Sequence, residues 1–167
     1  MAVILITGGA RSGKSTHAEK RARGFPRQPI YIATAEALDT EMEARIAKHR
    51  ARRGNGWIER EVPLNLVSAL VASDGGGARL VDCLTLWLSN LMHAGRDWED
   101  EVNALAATLI NLKSPVVLVT NEVGLGIVPD NALARSFRDA AGIMNQTIAA
   151  VADEVEFVVA GLPMKLK

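Results

Sequence analysis

The segment GGARSGKS, Gly8 to Ser15, constrains the fold of this chain more than any other stretch. It fits the pattern G-x-x-x-x-G-K-[ST], whose fixed positions are occupied by Gly8, Gly13, Lys14 and Ser15. The apolar run VILIT (Val3 to Thr7) precedes the match, and a helical pattern over Ser15 to Arg23 follows it. The segment therefore predicts a buried strand, a tight glycine turn and the start of a helix, in that order.

A loop of this composition is suited to holding phosphate groups. Glycines let the backbone curl so that successive N–H groups face one anion, and the following helix adds its positive N-terminal end. We expect Lys14 to bind terminal phosphates as a point charge and the Ser15 hydroxyl to complete a Mg2+ shell. An ordinary glycine-rich turn with an incidental lysine is the alternative, but the flanking strand and helix favour a nucleoside triphosphate. The predicted phosphate-binding residues are Gly8, Gly9, Ala10, Arg11, Ser12, Gly13, Lys14 and Ser15.

Short apolar runs alternate with longer amphipathic segments along the rest of the chain. Besides Val3 to Thr7, the predicted strands are Pro29 to Thr34, Ala78 to Cys83, Pro115 to Thr120 and Val155 to Gly161. The further predicted helices are Leu38 to Arg53, Leu64 to Ala72, Leu84 to His93, Glu99 to Leu112 and Asn131 to Ala152. This alternation predicts an α/β fold: one P-loop NTPase-type domain over residues 1–167, with a mainly parallel sheet covered by helices on both faces.

The bulk composition narrows the classes of partner. Lys plus Arg and Asp plus Glu are balanced at 19 each, so nothing indicates a general affinity for nucleic acid or for membranes. The single cysteine, Cys83, suits a reducing compartment, and MAVILIT does not have the pattern of a signal peptide. We therefore expect a cytoplasmic protein in which any specificity for anions is local. Cys83 itself is expected in the core, on the face of its strand opposite to Asp82.

Asp82 ends the predicted strand ARLVDC. An acidic residue at the carboxyl edge of such a sheet, near a phosphate-binding loop, is typical of a Mg2+ ligand. The alternative is that Asp82 only caps the next helix. We favour the metal role because of the loop upstream.

His49 lies within ARIAKHRARRGNGWIERE, a segment with five arginines and one lysine. If Leu38 to Arg53 is one helix, residues 38, 42 and 46 form its apolar stripe, and Arg45, His49 and Arg53 share that sector. Neighbouring guanidinium groups disfavour a charged imidazole and orient polyphosphate. A neutral imidazole beside an oriented phosphorus can form a phosphoramidate. The alternative is a solvated basic helix face.

Several segments in this order resemble one enzyme family: GGARSGKS, YIATAE, EARIAKHRARRGNGW, LVDCLTLWLSNL, VVLVTNEVGLGIVP and LARSFRDAAGIMNQ. The resemblance is to the bifunctional adenosylcobinamide kinase and adenosylcobinamide-phosphate guanylyltransferase of cobalamin biosynthesis. It covers almost the whole chain.

That resemblance implies two reactions. A nucleoside triphosphate first phosphorylates adenosylcobinamide, and GMP from GTP is then transferred to that phosphate through a guanylylated histidine. His49 matches this histidine. The resemblance also implies Mg2+, GTP and ATP as substrates, and a homotrimer. Beyond the loop, it implies a GTP site that includes Thr34, Ala35, Glu36, Arg50, Ala51, Arg52, Arg53, Glu61 and Asp82.

The sequence alone leaves the roles of several other polar residues undecided. Asn121 and Glu122 close a predicted strand, where they either contact ligand or brace the glycine loop that follows. His17 and His93 have no evident partner in the sequence and are interpreted as structural or solvated. Two other functions are compatible with the phosphate loop: a small-molecule kinase in which His49 only binds substrate, and a nucleotide-dependent switch or assembly ATPase.

Overall fold

A computed structural model of the chain describes residues 2–36 and 40–167, without the side chains of Glu41, Met42 and Arg45. The predicted start of the second helix at Leu38 lies outside the described residues, as do the side chains of Met42 and Arg45 in its predicted stripe. The Ile46 side chain of that stripe is described and is half-buried.

In residues 2–36 and 40–167, seven strands form one sheet in the order β3-β2-β4-β5-β1-β6-β7. All neighbouring strands pair in parallel except β7, which is antiparallel to β6. The strand bounds are β1 Val3–Gly8, β2 Ile30–Ala33, β3 Ile58–Glu61, β4 Arg79–Asp82, β5 Val116–Val119, β6 Glu154–Val159 and β7 Leu162–Lys165.

Within the described residues, six helices connect the strands and confirm the six predicted positions, with the ends that can be compared shifted by a few residues. Their bounds are α1 Lys14–Arg23, α2 Thr40–Arg53, α3 Leu66–Ala72, α4 Leu84–His93, α5 Trp98–Leu109 and α6 Ala132–Val151. Asp97 caps α5 by accepting hydrogen bonds from the Glu99 and Asp100 amides, and Asn131 caps α6 by accepting from Ala134.

Strand alternation divides the core between the two faces of the sheet. Val3 and Leu5 point to the larger cluster, which α3, α4, α5 and α6 cover. Ile4 and Ile6 point to the smaller cluster, which includes Ala18 and Ala22 of α1. The expected parallel sheet with helices on both faces is therefore confirmed.

Two strands escaped the sequence analysis, and both are at an edge of the sheet. The residues of β3 and β7 are all exposed, so neither shows the buried apolar pattern of the central strands. Pro163 lies within β7, a position that an edge strand tolerates. The carboxyl ends of β1, β2, β3 and β4 lie at one edge of the sheet, together with the loops that follow them.

Candidate nucleotide-binding and transfer site

The glycine loop joins the end of β1 to the start of α1, as the motif predicts. Gly13 precedes the helix at a left-handed φ of 96°. A Cβ on Gly8 would lie 2.5 Å from the Val158 carbonyl oxygen, so only glycine fits there without displacement. Lys14 is buried, and its Nζ donates a hydrogen bond to the Gly9 carbonyl oxygen at 3.0 Å.

A cavity of about 710 Å³ opens beside this loop. Its walls come from the start of α1, from β2, α2 and β3, and from the residues at the ends of β4 and β5. Half of the residues predicted for the site line it, drawn from segments far apart in the chain: Lys14, Ser15, Ala35, Glu36, His49, Arg50, Arg53, Glu61 and Asp82. The fold thus brings the phosphate loop, the histidine helix and the strand-end carboxylate to one cavity.

Other predicted site residues do not line this cavity. Gly8 ends β1, and residues 9–13 form the loop beside the cavity. Thr34 is fully buried, and its hydroxyl donates to the Cys83 carbonyl at 2.7 Å and accepts from the Cys83 amide at 2.9 Å. Arg52 pairs with Glu19 of α1 at 2.6 Å. Ala51 lines a smaller, neighbouring pocket with Arg50. Thr34 and Arg52 therefore brace the site through protein contacts.

Two of the arginines beside His49, Arg50 and Arg53, are paired with carboxylates of β3, a strand the sequence analysis missed. Glu59 accepts from Arg50 Nε at 2.7 Å and from Arg53 at 2.6 Å, while Glu61 lies 3.8 Å from Arg50. Burial raises the pKa of Glu59, but these arginines outweigh it, so the pKa lies below its usual range. The strand alternation in IERE was the signal that could have placed Glu59 and Glu61 on one side of β3.

Tyr31 is a lining residue that sequence reasoning did not single out. Its hydroxyl donates to Asp82 Oδ2 at 3.0 Å, and the Arg53 guanidinium carbon lies 3.5 Å from its ring centroid. Burial, followed by the charge of Asp82, raises the pKa of Tyr31 far above its usual range, so the phenol remains a donor. In the β2–β4 register Ala33 pairs with Asp82, which places Tyr31 on the same face.

The donor set at Asp82 and Ser15 fits a Mg2+ ion that arrives with a nucleotide. Both residues line the cavity, and Tyr31 occupies only one of the two Asp82 carboxylate oxygens. Within residues 2–36 and 40–167, no three His, Cys, Asp or Glu side chains are grouped to hold a metal by themselves. Mg2+ typically takes one or two carboxylates and completes its shell with phosphates and water. Asp82 is not the N-cap of α4, since that position is Cys83.

The expectation that Cys83 lies on the face opposite to Asp82 is wrong. Cys83 is buried, as predicted, but it packs in the same core cluster as Leu80 and Tyr31, the face on which Asp82 lies. The reason is that β4 ends at Asp82, so strand alternation does not extend to Cys83. Burial, followed by the Asp82 charge, raises the pKa of the Cys83 thiol to about 11.

The remaining candidates have protein partners. Asn121 lines the cavity, whereas the Glu122 carboxylate accepts from the Gly124 amide and braces its own loop. His17 Nε2 lies 2.7 Å from Glu156 Oε2 on β6, a partner that the sequence did not reveal. His93 Nδ1 contacts the Ser89 carbonyl at 2.7 Å on the exposed side of α4. Neither His17 nor His93 lines the cavity.

In the part of the chain that the structure describes, no helix is long and apolar enough to cross a bilayer.

Solved structures with a similar fold include a flagellar accessory protein and a secretion-system ATPase. The flagellar accessory protein FlaH from Methanocaldococcus jannaschii superposes with a TM-score of 0.55 at 14% identity, covering 99% of this chain and 78% of that one. An ATPase from the type III secretion system of pathogenic bacteria gives 0.57 at 12% identity, covering 98% and 56%. At these identities the likeness concerns the fold alone.

Sequence relatives are much closer. The "Bifunctional adenosylcobalamin biosynthesis protein CobP" of Pseudomonas aeruginosa is 48% identical over 98% of this chain and 96% of its own length. The "Bifunctional adenosylcobalamin biosynthesis protein CobU" of Salmonella typhimurium is 45% identical over 99% of both chains. A family model described as "Cobinamide kinase / cobinamide phosphate guanyltransferase" matches residues 4–166. The resemblance seen in the sequence is confirmed: the chain belongs to this family of bifunctional enzymes of adenosylcobalamin biosynthesis.

Proposed function

We propose that this chain phosphorylates adenosylcobinamide with a nucleoside triphosphate and then guanylylates the product through His49. The products of the second reaction are adenosylcobinamide-GDP and pyrophosphate. One observation carries the proposal: His49 of α2 lines the same cavity as Lys14 and Ser15 of the phosphate loop. A triphosphate held by the loop therefore extends into the space that the histidine helix borders.

In the kinase step the loop and Lys14 hold the transferred phosphoryl group. Lys14 exchanges its hydrogen bond to the Gly9 carbonyl for the phosphate oxygens, which attract its charge more strongly. Ser15 and Asp82 would hold Mg2+, which when bound neutralises charge on the phosphates. Because little covalent chemistry is required of the protein, these residues contribute mainly by positioning and by charge.

In the transfer step a ring nitrogen of His49 bonds to the α-phosphorus of GTP as the bond to the leaving pyrophosphate breaks. A phosphate oxygen of the phosphorylated corrinoid then attacks the phosphorus of the guanylylated histidine. The new P–O bond forms as the P–N bond breaks, so GMP passes to the corrinoid and His49 regains its neutral ring. Arg50 is more than half exposed, so it can leave Glu59 and contact the nucleotide phosphates. Arg53 is buried and stays with Glu59 and Tyr31.

The second candidate function is a kinase that forms no covalent intermediate. The shared cavity is compatible with both functions, so a chemical experiment has to distinguish them. The protein is incubated with GTP labelled at the α-phosphate, without corrinoid acceptor. We expect label on the denatured protein that survives base and is lost in acid, as a phosphoramidate behaves.

The matched variants for this experiment are His49→Ala and His93→Ala. His93 is an exposed histidine outside the cavity, so its removal leaves the label unchanged. His49→Ala removes it while kinase activity with ATP persists. Label that persists in His49→Ala, or transfer from the γ-phosphate alone, contradicts the covalent route.

The proposal includes a homotrimer, which the family resemblance implies, and a cytoplasmic location, which the single cysteine Cys83 favours. Light scattering coupled to size-exclusion chromatography measures the assembly, with an expected mass three times the 17.9 kDa of the chain. A monomer at micromolar concentration overturns this part of the proposal and leaves the chemistry of His49 untouched.

A further inference from the structure

The structure assigns to Tyr31 the role of a positioning residue that ties Asp82 to the helix of His49. The inference rests on the proposed function in two respects, the role of Asp82 toward Mg2+ and the transfer through His49. Tyr31 sits between the two groups. Its hydroxyl contacts the strand-end carboxylate, and its ring contacts α2 through Arg53.

The hydroxyl fixes one oxygen of Asp82. Tyr31 is only 6% exposed, so the donor is held by the core and not by solvent. The bond of 3.0 Å to Oδ2 restrains rotation of the carboxylate and leaves Oδ1 as the oxygen to face a cation in the cavity. Partners of metal ligands act in this way: they orient the ligand and raise metal affinity without touching the metal.

The ring supports the histidine helix. Arg53 follows His49 by four residues, so the two side chains share a face of α2. The Arg53 side chain is 4% exposed, lies 3.5 Å above the Tyr31 ring and donates to Glu59 at 2.6 Å. Trp57 packs edge-on against the same ring with centroids 5.8 Å apart. These contacts set where α2 lies against β2 and hence where His49 faces the cavity.

A purely structural tyrosine would need only its ring. Phenylalanine fills nearly the same volume and can stack with Arg53 and Trp57, but it has no donor for Asp82. Tyr31 and both of its polar partners line the catalytic cavity. The hydroxyl and the ring can therefore be tested separately.

Tyr31→Phe tests the hydroxyl. Binding of GDP is titrated by calorimetry with Mg2+ and with EDTA, and melting temperature is recorded for each sample. We expect the Mg2+-dependent gain in GDP affinity to fall about tenfold, as for the loss of other partners of metal ligands. Binding in EDTA stays at the wild-type value. In an Asp82→Asn background the same substitution has no further effect, because its target is gone.

Arg53→Met tests the ring contact. It removes the guanidinium over Tyr31 while preserving much of the side-chain volume. We expect the rate of label transfer from GTP to His49 to fall, with the Mg2+ dependence of GDP binding unchanged. Tyr31→Leu combines both losses.

Two results overturn the inference. One is a Tyr31→Phe protein with wild-type Mg2+ dependence. The other is a loss of affinity that is equally large in EDTA, which indicates a general structural defect. If wild-type protein carries no label on His49, the proposed transfer fails, but the Mg2+ titration still decides the role of the hydroxyl.

Discussion

Lys14 donates a hydrogen bond from Nζ to the Gly9 carbonyl oxygen, 3.0 Å away. The ammonium group that the motif provides for phosphate therefore contacts the backbone of its own loop. Replacing it should therefore affect nucleotide binding far more than folding. For Lys14→Met we expect nucleotide affinity to fall by about 10- to 100-fold, from the loss of charge-assisted hydrogen bonds of roughly 1.5–3 kcal/mol. Calorimetry with a non-hydrolysable triphosphate measures this.

Lys20→Met is the matched control for that experiment. Lys20 lies on the same helix but is exposed and outside the cavity. It should bind the triphosphate as the wild type does. If Lys14→Met bound the triphosphate with wild-type affinity, the glycine loop would not be the nucleotide-binding site.

Asp74 and Arg79 form a buried ion pair at the end of the sheet opposite to the cavity. The Arg79 side chain is 0% exposed, and Asp74 also accepts from the Lys113 and Ser114 amides. Asp74→Asn leaves the guanidinium buried beside a neutral amide, so we expect a loss of roughly 1.5–3 kcal/mol in the free energy of unfolding. Asp139→Asn removes an exposed pair with Arg138 and should cost under about 1 kcal/mol in the same urea titration. Equal losses in the two variants would show that the buried pair of Asp74 and Arg79 is no more stabilising than the exposed one.

Acid should remove the stabilisation that Asp74 provides. Burial raises the pKa of Asp74, but hydrogen bonds from Ser114, Arg79 and Lys113 outweigh it and hold the pKa well below its usual range. A carboxyl whose pKa is lowered in the folded state stabilises that state at pH values above its unfolded pKa, about 3.9. This stabilisation decreases as the pH falls toward the folded-state pKa. The difference in unfolding free energy between wild type and Asp74→Asn should therefore shrink below about pH 4. A difference in unfolding free energy that stays constant from pH 6 to 3 would contradict this role of the Asp74 carboxylate.

Cys83 lines the cavity but should be chemically inert. Burial, followed by the charge of Asp82, raises the pKa of its thiol to about 11, so roughly one molecule in a thousand carries a thiolate at pH 8. We expect a disulfide reagent to modify the native protein far more slowly than the protein in urea, where the thiol regains its ordinary pKa. Native modification as fast as in urea would show an accessible thiolate. His49 labelling should persist in Cys83→Ala.

The sequence predicted those parts of the fold that have a local signal. The central strands bury both faces, so their Val- and Ile-rich runs are visible, and the glycine loop fixes the junction of β1 and α1. The edge strand β3 reads IERE and is exposed throughout, so no hydrophobic pattern marks it. Because β3 was missed, its Glu59 was missed as a partner of Arg50 and Arg53.

The contact between Tyr31 and Asp82 depends on information that one sequence does not contain. The two residues are 51 positions apart and meet only because β2 lies next to β4 in the sheet. Strand order is decided by the packing of all the helices, not by either strand. For His49 the sequence supplied a hypothesis: its basic neighbours suggested a phosphoramidate, and the family resemblance favoured that proposal.

Gly8 and Gly9 are adjacent in the loop but should respond differently to an added methyl group. A Cβ on Gly8 would lie 2.5 Å from the Val158 carbonyl oxygen and 2.7 Å from Ser12 Oγ, whereas a Cβ on Gly9 would meet nothing within 4 Å. Gly8→Ala must push β1 away from β6, so we expect a loss of about 1–3 kcal/mol or more in stability. Gly9→Ala should stay within about 0.5 kcal/mol of the wild type. Urea unfolding of both variants without nucleotide measures the difference, and a Gly8→Ala protein as stable as Gly9→Ala would show that the loop can shift to make room.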